Sequence, residues 1–329
     1  MAFRVAIVGL GMAVTPHAKS LLDLKERVEV ACAWSPSAAR RAAFAAQFGF
    51  NTCENLDIIL ADQSVGAVLI LTPPNTHLEL VKRIAGAGKH VLLEKPLEVS
   101  TARAVRLVNI CRNKKRILGV VLQHRFRPAG MLLRENLARL GRIVSASATI
   151  PNWRPQSYYD QPGRGTRARD GGGVLITQAI HTLDLFLSFT GEAKSVKAFT
   201  TTTSVHKMET EDLAVAAVKF KSGALGVVHA TTAAYPGFPE RIELIGTGGT
   251  ALLEGTSLSM QFMDGKTLEM KTESGAGGTG ADPMAFPHDW HRSVLEDFLD
   301  AVAQRREPRV SGAEALKVHR FIDQLLKTR

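Results

Sequence analysis

The first 120 residues alternate short apolar runs with segments of helical periodicity. The apolar runs are continuous, as is typical of strands buried on both faces, and each helical segment separates two of them. We predict strands over 3–10, 28–34, 67–72, 90–94 and 117–123, and helices over 14–24, 76–88 and 100–114. A further helix follows the second strand, with Ser35 as N-cap and Pro36 as its first residue. This β-α-β spacing predicts a doubly wound parallel sheet, the Rossmann architecture of α/β proteins.

After residue 123 the pattern changes to strands that follow one another directly. Strand-like segments occupy 142–150, 195–203, 213–220, 224–232, 241–246 and 250–255, with a Ser-Gly turn between the third and fourth. Helices flank Gly171–Gly173, an amphipathic helix over 290–303 closes the chain, and 272–283 has the composition of a flexible loop. We therefore predict a dinucleotide-binding domain over 1–122. Residues 123–329 are predicted to form an α+β domain on a large, mostly antiparallel sheet.

Composition narrows the function classes. The net charge is +10, but lysine and arginine are scattered and aromatic residues make up 6% of the chain, which disfavours nucleic acid and favours an anionic cofactor or substrate. Three widely spaced cysteines indicate neither a disulfide framework nor a metal cluster. No signal peptide and no apolar run of ~18 residues is recognisable, so we expect a cytoplasmic protein that binds no metal and no membrane.

A glycine turn follows the first strand. In "GLGMAV", Gly9 permits a tight turn, and Gly11, Met12 and Ala13 lead to a helix N-terminus that attracts phosphate. The third glycine position holds Val14, so the helix lies slightly farther from the strand. This context predicts dinucleotide binding.

The end of the second strand bears on the choice between NAD and NADP. No carboxylate stands where one would bind the adenosine ribose; Ser35 is there, with Arg40 and Arg41 one turn later. This arrangement slightly favours NADP. Alternatively, Ser35 is a helix cap and the arginines form a solvated face.

Two further polar segments end strands of the same sheet. They are "TPPNTH", with Thr72, Pro73, Asn75 and His77, and "EKP", with Glu94 and Lys95. Ligands of open parallel sheets bind beyond the carboxyl ends of the strands, so these segments are predicted to converge with the glycine turn. Nothing structural requires an ammonium at Lys95, although a surface pair with Glu94 is the simpler interpretation.

The segment "DGGGVLITQAIHTLD" places His181 in an apolar helix, with Thr177 one turn before it and Asp184 almost one turn after it. A lone histidine on such a face is usually a core residue. Catalysis is the alternative, with the glycines letting the chain pass close to a nicotinamide. His77, His124, His288 and His291 are secondary candidates.

These motifs, together with "QHRFRPA" at 123–129, occur in an order that resembles the Gfo/Idh/MocA oxidoreductases over nearly the whole chain. The resemblance implies an NAD(P)-dependent dehydrogenase of sugars, cyclitols or related small molecules, forming a dimer or tetramer. It also implies that Lys95 and His181 are the catalytic pair and that the bond before Pro96 is cis. Many members have aspartate where this chain has Thr177. In this segment the chain is similar instead to a subgroup with an amide or hydroxyl at that position, some of which act on acidic or nucleotide-linked sugars. The resemblance further implies that the open sheet of residues 123–329 serves substrate binding and oligomerisation.

The expected sites follow from the motifs and the resemblance together. Catalysis is assigned to Lys95, His181 and Thr177. Cofactor binding is assigned to Gly9, Gly11, Met12, Ala13, Ser35, Arg40, Thr72, Pro73, Asn75, His77, Glu94, Lys95 and Gln123. Substrate binding is assigned to Lys95, Arg125, Arg164, Arg167, Thr177, Gln178 and His181.

Oxidation of a carbinol by hydride transfer requires a proton acceptor, for which an imidazole is suited at neutral pH. His181 would accept the proton and Lys95 would stabilise the oxyanion. A catalytically inactive cofactor-binding regulator of the same fold, or a sugar-binding accessory protein, are alternatives. The retention of both side chains disfavours them.

Overall fold

The computed structural model describes residues 2–271, 280 and 286–327. By contacts the chain divides into two units, one of residues 1–123 with 287–316 and one of 124–286 with 317–329. The sequence predicts a single boundary at 122/123. In the structure, residues 287–316 belong to the first unit, which a single boundary does not predict.

The first unit contains a parallel sheet. Its strands in the described residues are β1 (Phe3–Val8), β2 (Val28–Trp34), β3 (Ala67–Ile70), β4 (His90–Glu94) and β5 (Leu118–Val121), in the order β2-β1-β3-β4-β5. A single parallel bridge between Ala33 and Thr52 extends the sheet beyond β2. The direction of strand order therefore reverses between β1 and β3, which is where a doubly wound sheet binds its ligand.

Helices cover this sheet. They are α1 (Val14–Asp23), α2 (Ala38–Phe48), α3 (Leu56–Ala61), α4 (His77–Gly86), α5 (Thr101–Asn113) and α10 (Asp289–Gln304), with α1 packed on α10 and α4 on α5. The predicted cap of α2 was wrong. Ser37, not Ser35, is the N-cap, because its side chain accepts a hydrogen bond from the Arg40 amide and its backbone is extended.

The second unit contains the larger sheet, mostly antiparallel as predicted. Its strands are β6 (Ile143–Pro151), β7 (Ala193–Thr201), β8 (Leu213–Phe220), β9 (Leu225–Thr231), β10 (Arg241–Gly246), β11 (Gly249–Glu254), β12 (Ser257–Phe262) and β13 (Thr267–Met270), in the order β13-β12-β11-β10-β6-β9-β8-β7. The pair β6–β9 is parallel. β12 and β13 were not predicted. Small side chains such as Ala146, Ala214 and Ala216 line the buried face.

The helices of the second unit are α6 (Pro128–Asn136), α7 (Gln156–Tyr159), α8 (Val174–Thr177) and α9 (Ile180–Thr190), and α9 packs on β6. The prediction that a helix over 290–303 closes the chain was wrong, because α11 (Gly312–Lys327) follows it. The loop predicted over 272–283 lies outside the described residues, except for residue 280. In the part of the chain that the structure describes, no helix is long and apolar enough to cross a membrane.

Candidate functional site

The glycine turn after β1 is fixed by a close backbone approach. Gly9 has φ +104°, and a Cβ at this position would lie 2.8 Å from the carbonyl carbon of Leu71 and from the amide nitrogen of Thr72. Only glycine fits both the dihedral angle and the contact. The turn is therefore held against the residues that follow β3, at the point where strand order reverses.

The N-terminus of α1 begins just beyond this turn. Around Gly11 a Cβ would meet no atom within 4 Å, and Met12 is about half exposed at 48%. Ala13 is the N-cap and makes no side-chain cap hydrogen bond. An uncapped helix start beside open space is the donor arrangement that a pyrophosphate requires, so these residues fit a dinucleotide.

Ser35 is buried at the end of β2, where its Oγ accepts a 3.4 Å hydrogen bond from the Ser37 amide. Arg41 donates to the Ser35 carbonyl oxygen at 2.6 Å, whereas Arg40 is exposed on α2. Arg41 is thus the arginine that the structure ties to this strand end. The nearest alternative interpretation of Ser35, as the α2 cap, does not hold.

His77 links two of the predicted strand-end segments. Its Nε2 lies 2.8 Å from the carbonyl oxygen of Thr72, and its Nδ1 lies 3.1 Å from that of Pro96 and 3.2 Å from that of Leu97. The side chain is completely buried. His77 therefore positions the backbone of both segments, a role distinct from the direct cofactor contact that we expected.

Lys95 lies at the carboxyl end of β4, beside a buried carboxylate. Glu94 Oε2 accepts a hydrogen bond from the Lys95 amide at 3.0 Å, and Glu94 Oε1 lies 2.7 Å from Nε2 of His17 on α1. Burial raises the pKa of Glu94, but the hydrogen bond to His17 and nearby positive charge outweigh this and lower it. The Lys95–Pro96 bond is cis, as expected.

His291 of α10 completes this group in the first unit. Its ring lies 5.0 Å from that of His17, edge to face. Burial and the electrostatic influence of His17 lower the pKa of His291 to about 3. His17, Glu94 and His291 offer metal-ligand atoms within 4.8 Å of one another. Both Glu94 oxygens have hydrogen-bond partners, and Nδ1 of His291 is buried.

In the second unit, the glycine-led segment packs against the start of β8. A Cβ at Gly173 would lie 1.8 Å from the carbonyl oxygen of Glu211, and the Glu211 carboxylate accepts hydrogen bonds from the amides of Gly173 and Leu175 at 3.2 Å. The glycine is therefore required by contact with Glu211. Close passage of a nicotinamide by these glycines stays a prediction.

His181 is buried in the first turn of α9, and the ring of His124 stacks on it with centroids 5.0 Å apart. Nε2 of His124 lies 2.6 Å from Nη2 of Arg127. A guanidinium only donates, so Nε2 must accept and the proton of a neutral His124 is on Nδ1, which faces Thr182 Oγ1 at 3.5 Å. His181 thus stacks on a neutral ring of fixed tautomer.

Two buried ion pairs surround these rings. Arg125 donates to both carboxylate oxygens of Asp184 at 2.6 Å, and Arg127 pairs with Glu240. Asp184 therefore anchors α9 to the segment 123–129. Arg125, which we expected to bind substrate, donates two hydrogen bonds within this pair. Gln123, predicted to bind the cofactor, is buried at the end of the first unit.

The remaining predicted substrate residues lie on or near the segment before α9. Thr177 Oγ1 donates to the carbonyl oxygen of Gly173 at 2.5 Å and contacts the Gln178 side chain. Arg164 lies over the ring of Tyr158, whereas Arg167 is mostly exposed beside Glu209. Asn75 is part of a short 3₁₀ turn over Pro74–Thr76.

Two sequence profiles match this chain. A sequence profile described as the oxidoreductase family with an NAD-binding Rossmann fold matches residues 3–122, and the profile of the GFO/IDH/MocA C-terminal domain matches residues 133–252. The chain belongs to the Gfo/Idh/MocA family.

Several relatives of this Gfo/Idh/MocA protein have names or structures. It is 27% identical over 324 residues to myo-inositol 2-dehydrogenase of Thermotoga maritima, covering 94% of this chain and 91% of the relative. The WlbA dehydrogenase of Bordetella pertussis, in complex with NADH and UDP-GlcNAcA, matches with TM-score 0.85 and 26% identity over 100% and 96% of the two chains. Levoglucosan dehydrogenase with NADH and levoglucosan has the same fold, with TM-score 0.85 and 22% identity over 100% and 97%.

The Gfo/Idh/MocA protein is therefore an oxidoreductase acting on CH–OH groups, with an NAD-binding Rossmann fold. Its sequence did not point to His17, Glu211 or Glu240, whose contacts lie near the residues predicted to be catalytic. His291 was a secondary candidate, and Arg127 lies in the segment 123–129 that carries the resemblance. His17 follows the glycine turn by one and a half helical turns, a signal that could have paired it with a strand-end acid. Glu211 and Glu240 come from distant segments and gave no local pattern.

Proposed function

We propose that this protein interconverts a secondary alcohol and a carbonyl on a sugar or cyclitol, with Lys95 and His181 supplying the proton chemistry. The observation that carries the proposal is the position of Lys95. Lys95 follows β4 directly, and its amide donates to the Glu94 carboxylate. The strand beside β4 is β3, and the Gly9 turn packs against the residues that follow β3, Leu71 and Thr72.

Each side chain has one role in this proposal. When bound, the nicotinamide accepts or supplies the hydride. His181 takes the hydroxyl proton during oxidation and returns it during reduction. Lys95 donates to the oxygen as negative charge develops there, and Thr177 offers a hydroxyl for substrate orientation. Because Thr177 cannot carry charge, the imidazole is oriented by packing on neutral His124 rather than by a carboxylate at that position.

NADP is the proposed cofactor, with NAD as the alternative. Support comes from the β2 end, where Ser35 is buried and Arg41 is tied to its carbonyl oxygen, so no side-chain carboxylate at 33–35 opposes a 2′-phosphate. Fluorescence titrations with NADPH and NADH test this choice. A clear preference for NADH would contradict it.

A homo-oligomer is also proposed, formed through the open face of the large sheet. One face is buried, while apolar side chains on the other are exposed, including Phe199 at 86%, Leu225 at 60% and Val227 at 55%. Exposed apolar area of this kind usually marks an interface. Light scattering should give a dimer or tetramer, and Val227→Glu should shift it toward monomer.

Turnover assays over sugars and cyclitols, each with NAD⁺ and NADP⁺, test the proposed reaction. We expect at least one compound with a secondary hydroxyl to reduce the cofactor. Absence of turnover with every compound, from protein that binds NADPH or NADH, would contradict the enzymatic proposal and favour a regulatory role.

A further inference from the structure

The three arginines of the segment 164–169 have different surroundings. Arg167 is 66% exposed and lies 3.9 Å from the Glu209 carboxylate, and Arg169 donates to the Pro162 carbonyl oxygen at 3.0 Å. Within the described residues, Arg164 has no carboxylate at salt-bridge distance, and its buried Nε has no hydrogen-bond partner. Arg164 is thus the arginine of this segment whose charge the described chain does not neutralise.

Arg164 is oriented by an aromatic ring. Its guanidinium carbon lies 4.8 Å from the ring centroid of Tyr158, within cation–π range. A guanidinium has terminal N–H donors that can bind a carboxylate or phosphate with two hydrogen bonds. The group is preorganised for a planar or tetrahedral anion.

The turn that presents Arg164 is held by backbone contacts. The residue lies between Gly163 and Gly165, with φ of +77° and +66°, a conformation that favours glycine at both positions. The Arg164 amide donates to the Gln161 carbonyl oxygen, and the Gly165 amide donates to Asp170 Oδ2, each at 3.0 Å. Arg164 is therefore placed by a built turn.

Nearby acids are engaged elsewhere. Asp160 accepts from the Gln156 amide group at 2.9 Å, Asp170 accepts from the Gly165 amide, and Glu209 pairs with Arg167. Each of these acids thus has a partner other than Arg164. This charge distribution favours an anion from outside the chain.

A half-buried polar strip connects Arg164 to the start of α9. The Tyr158 hydroxyl lies 3.5 Å from Nε2 of Gln178, which precedes His181 by three residues, and Thr177 contacts the Gln178 side chain. Tyr158, Arg164, Thr177 and Gln178 are all partly exposed, whereas residues 172–176 are buried. The strip is partly accessible to solvent and ends at Gln178, two residues before the first residue of α9, the helix of the proposed proton acceptor.

From these contacts we infer that the substrate is an anionic sugar, carrying a carboxylate or a phosphate that binds Arg164 while its hydroxyl carbon reacts at His181. This inference rests on the proposed function and narrows it. Arg164 becomes a specificity-determining residue, and Tyr158 positions it.

The test compares charged and neutral sugars that share a ring. Binding of D-glucuronate, D-glucose 6-phosphate and D-glucose is measured by calorimetry with protein loaded with NADPH and, separately, with NADH, and turnover of the same compounds is measured with NAD⁺ and NADP⁺. The variants are Arg164→Gln, Arg164→Lys and, as matched control, Arg142→Gln, which removes an exposed arginine of the same unit. The two charged sugars distinguish a carboxylate from a phosphate.

One charged sugar should bind the wild-type protein about 10- to 100-fold more tightly than D-glucose, the range expected for a charge-assisted hydrogen-bonded pair. Arg164→Gln should remove that difference, raising KM with little change in kcat. Arg164→Lys should restore part of it, and Arg142→Gln should retain it. Equal binding of charged and neutral sugars, or an unchanged preference in Arg164→Gln, would overturn the inference. Arg164-dependent binding without turnover would contradict the proposed function instead.

Discussion

The surroundings of Lys95 and His181 differ in which atoms fix them. In the first unit, backbone atoms do so. The Gly9 turn packs on the backbone after β3, His77 joins the carbonyl oxygens of Thr72 and Pro96, and the Glu94 carboxylate holds the Lys95 amide.

In the second unit, side chains hold side chains. Arg125 holds Asp184 on α9, and the ring of His124 stacks on His181. Arg127 in turn pairs with Glu240 and fixes His124. The partners are far apart in sequence, with 59 positions between Arg125 and Asp184 and 113 between Arg127 and Glu240.

This difference explains what a sequence can reveal. A backbone constraint requires particular residues at adjacent positions, so it appears as a short motif. A side-chain pair requires compatible chemistry at two separate places, and many arginines and acids would satisfy it. Motifs therefore mark the strand-end site more completely than the helix site.

The largest effect should follow from breaking the buried ion pair between Arg125 and Asp184 in the second unit. Arg125→Met removes both hydrogen bonds that Arg125 donates to the carboxylate of Asp184, which is 1% exposed. We expect a loss of about 3–5 kcal/mol in the free energy of unfolding, measured by urea denaturation. Arg83→Gln, which removes an exposed pair with Asp57, should cost at most about 1 kcal/mol. Equal costs would show that the ion pair does not anchor α9.

A smaller effect should follow from the backbone constraint of the first unit. Gly9→Ala adds a Cβ that meets backbone at 2.8 Å and forces a positive φ, so we expect a loss of about 1–3 kcal/mol and much weaker cofactor binding. Gly11→Ala has open space and should leave stability unchanged. Thermal unfolding and cofactor titration measure both variants. A stable Gly9→Ala protein with normal cofactor affinity would refute the close approach.

The smallest effect concerns the pH dependence of stability. The pKa of buried His291 in the first unit is lowered, whereas the pKa of buried Glu211 in the second unit is raised. Burial lowers the pKa of His291 from 6.5 to about 3, so between these values the unfolded chain binds more protons than the folded one. The contribution of His291 to stability is complete above the unfolded value and is lost as pH falls. His17, Glu94, Lys95 and His288 are the charged or titratable groups that influence His291.

Glu211 behaves in the opposite sense. Burial raises its pKa, although the amides of Gly173 and Leu175 partly offset this, so its contribution is lost as pH rises through the folded value. The test concerns His291. When the pH is lowered from about 7 to about 5, the urea midpoint of unfolding should fall less in His291→Gln than in wild type, because the variant lacks the buried imidazole. An identical pH dependence in the two proteins would contradict the burial of a neutral imidazole.

The sequence predicted the parallel sheet, the order of its motifs and the strand-end positions of Gly9, Glu94 and Lys95. It predicted β8 and β10 to the residue, because alternation over six to eight residues is a strong signal. β13 spans four residues and is too short for a period to appear. Ser35 and Ser37 both precede α2 and have the same capping chemistry, so only backbone dihedrals identify Ser37 as the cap.

The site was predicted as motifs and completed by the fold. Nothing near residue 181 announces that His124 stacks on it, and nothing near residue 94 announces His291. The sequence grouped Arg164 with Arg167, and their side-chain partners are what separate them.

Rates of hydride transfer in Lys95→Ala and His181→Ala, followed by NAD(P)H absorbance in a single turnover, test the proposed chemistry most directly. We expect each rate to fall by at least about 100-fold, since each variant removes a proton-transfer or oxyanion-stabilising group, while cofactor affinity stays within a few-fold of wild type. Wild-type rates in both variants on a confirmed substrate would show that neither the ammonium nor the imidazole performs this chemistry.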